Sequence, residues 1–453
     1  MAIKVGGTEV VSDARALSNI TSIDATTAAA IGAGGVGGGG EVDFTASGSL
    51  TNGDLVKLNL DGTVSVIEGG GAGTPAVFES AAVNTTSSTF DSNSNKVVIA
   101  YRDQGNSYYG TAVVGTVSGD SISFGTPVVF RSGNTGTLST TFDSNSNKVV
   151  IAFSQWDLSN YGAAIVGTVS GTSISFGSET VFESATTSYI SATFDSNSNK
   201  VVIAYRDAGN SSYGTAVVGT VSGTSISFGS PVVFASSNSA TISPTFDSNS
   251  NKVVIAYADN SNSGYGNAVV GTVSGTSISF GTPVVFEEGS ISYISATFDS
   301  NSNEVVIAYR DNTNPYYGTG VGGTVNGTSI SFGGASIFES AEVYYVSATF
   351  DSNSNKVVIA YRDNGNSSYG TAVTFKPSDV VNWIGFASED AADDATATIN
   401  IIGGVNEGQT GLTIGSNYYL SDDGTLTTTT TDGREVGRAI AADKIMITQG
   451  SIS

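Results

Sequence analysis

The stretch "TFDSNSNKVVIAYRDAGNSSYGTAVVGTVSGTSISFGSPVVF", Thr193 to Phe234, decides the fold. Its "FDSNSN" begins at Phe90, Phe142, Phe194, Phe246, Phe298 and Phe350, always at an interval of 52 residues. Each copy holds four strand-like runs, A to D. Strand A ends at "TFDS". In strand B, "KVVIAYRD", Val201, Ile203 and Tyr205 alternate with Val202 and Ala204. Both alternating sets are apolar, so both faces are expected to be buried. Strand C is "YGTAVVGTVSG", and strand D is "SISFGSPVVF" with a Gly-Ser kink. Four strands in a repeat of roughly 40–50 residues mark a β-propeller blade. Six copies predict an all-β, six-bladed propeller. A β-solenoid is the competing architecture, but its coils are usually shorter and do not need four antiparallel runs each.

The ends of the array point to closure. It opens with a lone strand-D copy, "GTPAVF" (Gly73–Phe78), and closes on a strand-C copy, "YGTAVTF" (Tyr369–Phe375), with no strand D after it. The N-terminal strand is therefore expected to complete the last blade and remove an open edge. On either side, "SGSLTNGDLVKLNLDGTVSVIEG" (Ser47–Gly69) and Asn382–Ile447 alternate short strands with Asn-Gly and Asp-Gly turns. The expected domains are an N-terminal segment with a Gly-rich linker (1–40), the first part of a small β-barrel-like module (41–69), the propeller inserted into it (70–378) and the module's second part (379–453).

Composition excludes several function classes. The net charge of −23 disfavours binding to nucleic acid or to an anionic membrane. Without Cys or His there is no thiolate, no Ser-His-Asp arrangement and no imidazole metal ligand. No signal peptide is expected in "MAIKVGGTEVV", and no run of about 18 apolar residues predicts a spanning helix.

The flanking pattern "NGDLVKLNLDGTV … IGFASEDAADDATATINIIGGV … GLTIGSNYYLSDDGTLTTT … VGRAIAADKIMI" resembles modules of bacteriophage tail fibres and capsid fibres. The opening "IKVGGTEVVSDARALSNITSIDATTAAAI" resembles the attachment segments of tail-fibre proteins of marine and cyanobacterial phages, and the repeat resembles arrays in such proteins. The resemblance implies a component of the virion surface, a homotrimer joined to other virion proteins through its N-terminal segment, with a role in host recognition.

Variation among the six copies concentrates on one rim. The A–B turn is "DSNSN" throughout, and the C–D turn stays close to "VSGTS". The B–C turns run from "RDQGNSYYG" to "SQWDLSNYG", and the D-to-A crossovers from "ESAAVNTTSST" to "RSGNTGTLSTT". Loops on a rigid scaffold carry binding, so the B–C/D–A rim is the candidate face. Arg and Asp beside aromatics suit a neutral or acidic sugar. The candidate glycan-binding residues are Arg102, Asp103, Asn106, Tyr108, Trp156, Tyr189, Arg206, Asp207, Asn210, Tyr293, Arg310, Asp311, Tyr316, Tyr344, Arg362 and Asp363. An ion pair within each Arg-Asp doublet is the alternative reading. The regular Tyr before Gly (Tyr109, Tyr161, Tyr213, Tyr265, Tyr317, Tyr369) suits packing between blades.

"DSNSN" is spaced like a calcium loop, but there is one carboxylate per loop, and the sixth position is Lys in five copies (Lys96, Lys148, Lys200, Lys252, Lys356) and Glu304 once, so a fixed ammonium opposes a dication in those five. An Asx turn is expected instead, with no metal and no cofactor. Glu389, Asp390, Asp393 and Asp394 form an acidic group that reads as a solvated turn rather than a hydrolase pair. Sialidases are six-bladed propellers too, but their "S-x-D-x-G-x-x-W" box is absent. The expected function is a non-catalytic fibre protein or adhesin on the virion surface that binds host glycan. A purely structural decoration protein and a glycosidase are the alternatives.

Overall fold

The computed structural model of the chain describes residues 76–376 apart from 119, 120 and 353, together with 404–420, 426–428 and 434–447. Six short strands (Ile3–Val5, Thr8–Val11, Val56–Leu58, Val64–Val66, Phe386–Ala387, Ile399–Asn400) are also described, as backbone. The chain divides into two compact units, Met1–Gly73 and Thr74–Ser453. In the first, Ile3–Val5 pairs with Thr8–Val11 and Val56–Leu58 with Val64–Val66, and the expected Asp61-Gly62 turn lies outside the described residues. The linker Gly32–Gly40 and the acidic group at Glu389–Asp394 lie outside the described residues.

The second unit carries an all-β array of repeated antiparallel sheets. In the third repeat Thr187–Asp195 (A) pairs with Lys200–Asp207 (B), which pairs with Tyr213–Ser222 (C). Strand D is split at the Gly-Ser-Pro kink: Ser225–Phe228 pairs with the far end of C, and Val232 onward with its near end. β-Branched and aromatic residues fill strand B on both faces. From Val201 to Tyr205 every side chain is fully buried, as expected from the doubly apolar pattern.

The core lies between the repeats. Val98, Ala100, Ala112 and Val114 pack against Val149, Ile151 and Phe153 of the next repeat, and the same layer recurs at each later junction. The strand-D phenylalanine of one repeat meets the strand-B aromatic of the next. Phe182–Tyr205, Phe234–Tyr257 and Phe286–Tyr309 have ring centroids 5.2, 5.3 and 5.4 Å apart, in tilted or edge-on geometry. Strand A, at the sheet's free edge, is bridged to its neighbour by serine: Ala192 N donates to Ser139 Oγ (3.1 Å) and Ala296 N to Ser243 Oγ (3.0 Å). "FDSNSN" fits this frame. Phe142, Phe194, Phe246, Phe298 and Phe350 pack into the junction with the preceding repeat, while Phe90, with no repeat before it, is exposed. Asp91 Oδ1 accepts from the N–H of Asn93 (2.9 Å) and Ser94 (3.0 Å), and Asn95 takes the left-handed conformation at φ 58°. The carboxylate thus closes an Asx turn.

One residue governs each crossover. Where strand D ends in Glu the chain bends, and two of these carboxylates accept the N–H two residues on, Glu79 from Ala81 (2.9 Å) and Glu339 from Ala341 (3.1 Å). One carboxylate oxygen of each Glu receives the strand-B tyrosine: Tyr101 to Glu79 at 3.1 Å, Tyr205 to Glu183 at 3.1 Å, Tyr309 to Glu287 at 2.9 Å and Tyr361 to Glu339 at 3.0 Å. Where Arg131 or Ala235 replaces Glu, strands D and A run on as one strand of 16 residues, Val128–Asp143 and Val232–Asp247. Arg131 turns instead to Asp157 and Glu179, and its strand-B neighbour is Phe153.

Among the described residues the expected closing pair is not made. Tyr369–Phe375 pairs only with Lys356–Asp363, and Ala76–Phe78 joins no ladder. The two end repeats accordingly keep an uncovered face, with Ala360, Tyr369 and Val77 exposed. The other five tyrosines of the Tyr-Gly column are partly buried. A separate sheet near the C-terminus joins Val405–Asn406, Lys444–Ile447, Arg434–Ala441, Asn417–Leu420 and Leu426–Thr427 over Leu412, Tyr418, Val436 and Ile445.

Candidate functional site: arginine–aromatic clefts on the variable rim

The B–C turns and the start of strand A meet at the junctions between repeats. Strand A carries a bulge there, seen as a register shift between Ser188 and Ser191 and repeated between Ser292 and Ser295 and between Tyr344 and Ser347. Bulges re-aim side chains. The bulged residue is left-handed: Tyr189 (φ 52°), Tyr293 (φ 52°) and Tyr345 (φ 54°). Tyr108 (φ 63°) and Tyr316 (φ 60°) in the B–C turns are left-handed as well. For a bulky residue this conformation costs on the order of 1–2 kcal/mol, and such strain collects at functional positions.

Four of these five tyrosines lie beside a strand-B arginine, and Tyr345 meets the Tyr293 ring instead, at 5.4 Å between centroids. Arg102 is 8% exposed, and its guanidinium lies 4.1 Å from the Tyr108 ring centroid and 4.6 Å from that of Trp156 in the next repeat. Trp156 has this room because Gly136 stands beneath it; a Cβ there would lie 1.8 Å from Nε1. Arg206 stacks on Tyr189 at 4.9 Å. Arg310 meets Tyr293, Tyr316 and, from the next repeat, Tyr344, at 4.8, 4.9 and 4.8 Å. Arg362 lies 5.0 Å from Tyr344. Each such contact is worth about 0.5–2 kcal/mol, more as it is desolvated.

Short polar groups aim the guanidinium. Arg206 Nε donates to Ser188 Oγ (2.9 Å), and Arg310 Nε to Ser292 Oγ (3.0 Å) and Asn312 Oδ1 (2.9 Å). Arg102 reaches Asn84 Oδ1 (3.3 Å) and Asn134 Oδ1 (3.0 Å), while Arg362 reaches Ser368 Oγ (3.0 Å). With Nε anchored, Arg206 presents its two Nη groups as a fork, a geometry that matches paired hydroxyls or a carboxylate.

The structure thus brings together Arg102, Tyr108 and Trp156; Arg206 and Tyr189; and Arg310, Arg362, Tyr293, Tyr316 and Tyr344. The acids have another place. Asp103, Asp207, Asp311 and Asp363 are buried, and their Oδ1 atoms accept the backbone N–H of Asn106 (3.0 Å), Asn210 (3.1 Å), Asn314 (3.2 Å) and Asn366 (3.1 Å). They shape the turn rather than pair with the neighbouring Arg. Asn106 and Asn210 are exposed turn residues. Ser154 and Ala258 occupy the Arg position in the second and fourth repeats, which build no such cleft. Asn84, Asn134, Ser188 and Ser292 escape sequence reading, because single Asn and Ser residues carry no signal in so Ser-rich a chain.

Among the described residues no group of three or more acids is placed to hold a metal ion. An open cleft of about 740 Å³ in the C-terminal sheet, lined by Gln409, Leu412, Tyr418 and Thr427, lies apart from this chemistry and holds no charged side chain.

No protein-family model and no curated protein matches the chain. Among solved structures it is similar to SapL1 lectin in complex with alpha methyl fucoside, at 14% identity and TM-score 0.41, over 65% of this chain and 94% of that one. It is similar to BP39L lectin from Burkholderia pseudomallei at 12% identity and TM-score 0.45, over 66% and 86%. AofleA from Arthrobotrys oligospora matches at 8% identity and TM-score 0.44, over 64% and 82%.

Proposed function

We propose that the chain is a non-catalytic carbohydrate-binding protein, a phage virion fibre whose rim clefts hold host-surface sugar. One observation carries the reading. An arginine anchored through its side-chain base stands beside tyrosines held in strained, left-handed backbone, and the pattern recurs at separate junctions. Aromatic faces and a guanidinium fork are complementary to a sugar ring and its hydroxyls. The repetition argues against catalysis, because a glycosidase needs one asymmetric pair of carboxylates, whereas here the rim Asp side chains are engaged by their own turns.

The closed six-bladed ring belongs to the same proposal. Phe78 lies 5.2 Å from Tyr101 and 5.8 Å from Phe124, as Phe182 lies 5.2 Å from Tyr205 and 5.6 Å from Phe228. Ala76–Phe78 therefore sits as the strand D of a repeat preceding the first. At the other end no described residue lies within 4 Å of a Cβ placed on Gly370, where Gly162 meets Phe182. Pairing the two ends supplies both missing contacts. Homotrimeric display on a virion, attached through residues 1–40, multiplies weak cleft affinities through avidity.

A glycan array probed with the full chain and with an R102K/R206K/R310K/R362K variant tests this function. Binding by the parent and at least tenfold weaker binding by the variant is expected. A variant that binds like the parent, or a parent that binds nothing, overturns it.

A further inference from the structure

The clefts are not alike in charge, and the difference lies in one column of the repeat. The residue that the following repeat contributes at the end of its crossover is Asn134 beside Arg102, Asn238 beyond Arg206 and Glu342 beyond Arg310. Asn134 and Asn238 hold the same register, paired with Tyr109 and Tyr213 of the preceding repeat. Glu342 Oε1 accepts the Tyr344 hydroxyl (2.6 Å), and Oε2 accepts Asn364 Nδ2 (2.6 Å). Tyr344 in turn lies between Arg310 and Arg362. One junction therefore carries its own carboxylate in the arginine–tyrosine network, and the other two carry a neutral amide in its place.

Around Arg102 and Arg206 the acids are otherwise engaged. Asp103 and Asp207 accept turn N–H groups, and Asp157, next to Trp156, pairs with Arg131. Among the described residues no carboxylate bonds to either guanidinium. Arg102 is 8% exposed, and its Nε has no hydrogen-bond partner. Asn238 Oδ1 and Thr241 Oγ1, at the start of the fourth repeat, are buried and likewise unpartnered. Arg102 is a buried cation without a bonded counter-charge and Arg206 a partly buried one; such burial is costly, and an incoming anion lowers that cost.

We infer that the array holds two kinds of cleft. Those of Arg102 and Arg206 take a saccharide bearing one carboxylate or sulfate, and the Arg310–Arg362 cleft takes an uncharged saccharide. The inference rests on the carbohydrate reading above. The net charge of −23 limits the acidic ligand to a single charged group: it repels a polyanion, whereas at physiological salt a lone anion inside the cleft is screened beyond about 8 Å and meets the local guanidinium.

The test is binding of the full chain to matched saccharide pairs: 3′-sialyllactose and its methyl ester, and 3′-sulfolactose and lactose. The parent is compared with N134D/N238D, which installs the carboxylate of the third junction, and with E342Q. At least tenfold preference for an acidic member is expected, lost in N134D/N238D, and an unchanged melting temperature together with neutral binding at the Arg310–Arg362 cleft, which neither substitution touches, shows that the variant folds. Preference for sialyllactose alone or sulfolactose alone identifies the anion. Equal binding of acidic and neutral members, or an acid preference unchanged in N134D/N238D, overturns the inference and leaves carbohydrate binding standing. If no member of either pair binds, both readings fall.

Discussion

Phe375 stands over Gly320, with its ring where a side chain on that glycine would be: a Cβ added to Gly320 would lie 2.6 Å from Phe375 Cζ. Both residues break their columns. The position of Gly320 is Ala112, Ala164, Ala216 and Ala268 in the preceding repeats, and that of Phe375 is Gly115, Gly167, Gly219, Gly271 and Gly323. In complete repeats this second glycine leaves room for the isoleucine and phenylalanine of strand D, as Gly167 does for Ile174 and Phe176. The last repeat lacks that strand, and Phe375 fills the gap. Gly320→Ala is expected to destabilise the array by about 1–3 kcal/mol through overpacking, read as a lower urea midpoint, and a Phe375→Leu second change should restore part of it. An unchanged midpoint for Gly320→Ala contradicts this packing.

Ring closure makes a covalent prediction. The register that pairs Ala163 with Val181 and Thr319 with Ile337 would pair Thr371 with Val77. A V77C/T371C chain, otherwise free of Cys, is expected to oxidise to an intramolecular disulfide that raises the melting temperature. Thiols that stay free, or link only between chains, contradict closure.

Tyr101, Tyr205, Tyr257, Tyr309 and Tyr361 are pushed above the ordinary tyrosine value of 10.0, first by burial. The folded chain keeps these protons when the unfolded chain has lost them. Their contribution is fully present below about pH 10 and lost as pH rises through the raised values. Tyrosinate absorbance should therefore show these five side chains ionising together, with unfolding. Five independent titrations near the ordinary value, in a chain that stays folded, would show that these rings are not buried and that the glutamate contacts of Tyr101, Tyr205, Tyr309 and Tyr361 are absent.

The strained rim tyrosines separate stability from binding. Tyr293→Gly removes the left-handed penalty of on the order of 1–2 kcal/mol together with the aromatic face beside Arg310. Stability is expected to be kept or raised, and glycan binding at that cleft to fall at least tenfold. A variant that binds as before takes Tyr293 out of the site.

The repeat, the doubly buried strand B and the turn at "DSNSN" were legible in the sequence because each rests on a local rule applied six times over. The clefts were legible in part. The Arg and aromatic residues stood out as rim variation, but the Asp of each Arg-Asp doublet looked like ligand chemistry and serves the turn. Sequence spacing shows that two residues are neighbours without showing that one side chain faces its own backbone. The Glu–Tyr contact, made where strand D ends in Glu, joins residues 22 apart on different repeats, so it became visible only once the sheets were stacked.

The most direct test of the central claim is a crystal structure of the full chain with its strongest glycan from the array. Sugar seated on the B–C/D–A rim, hydrogen-bonded to Arg102, Arg206 or Arg310 and stacked on the tyrosines or Trp156 beside them, is the predicted result. Sugar on the "DSNSN" face, or in the open cleft beside Tyr418, contradicts the account.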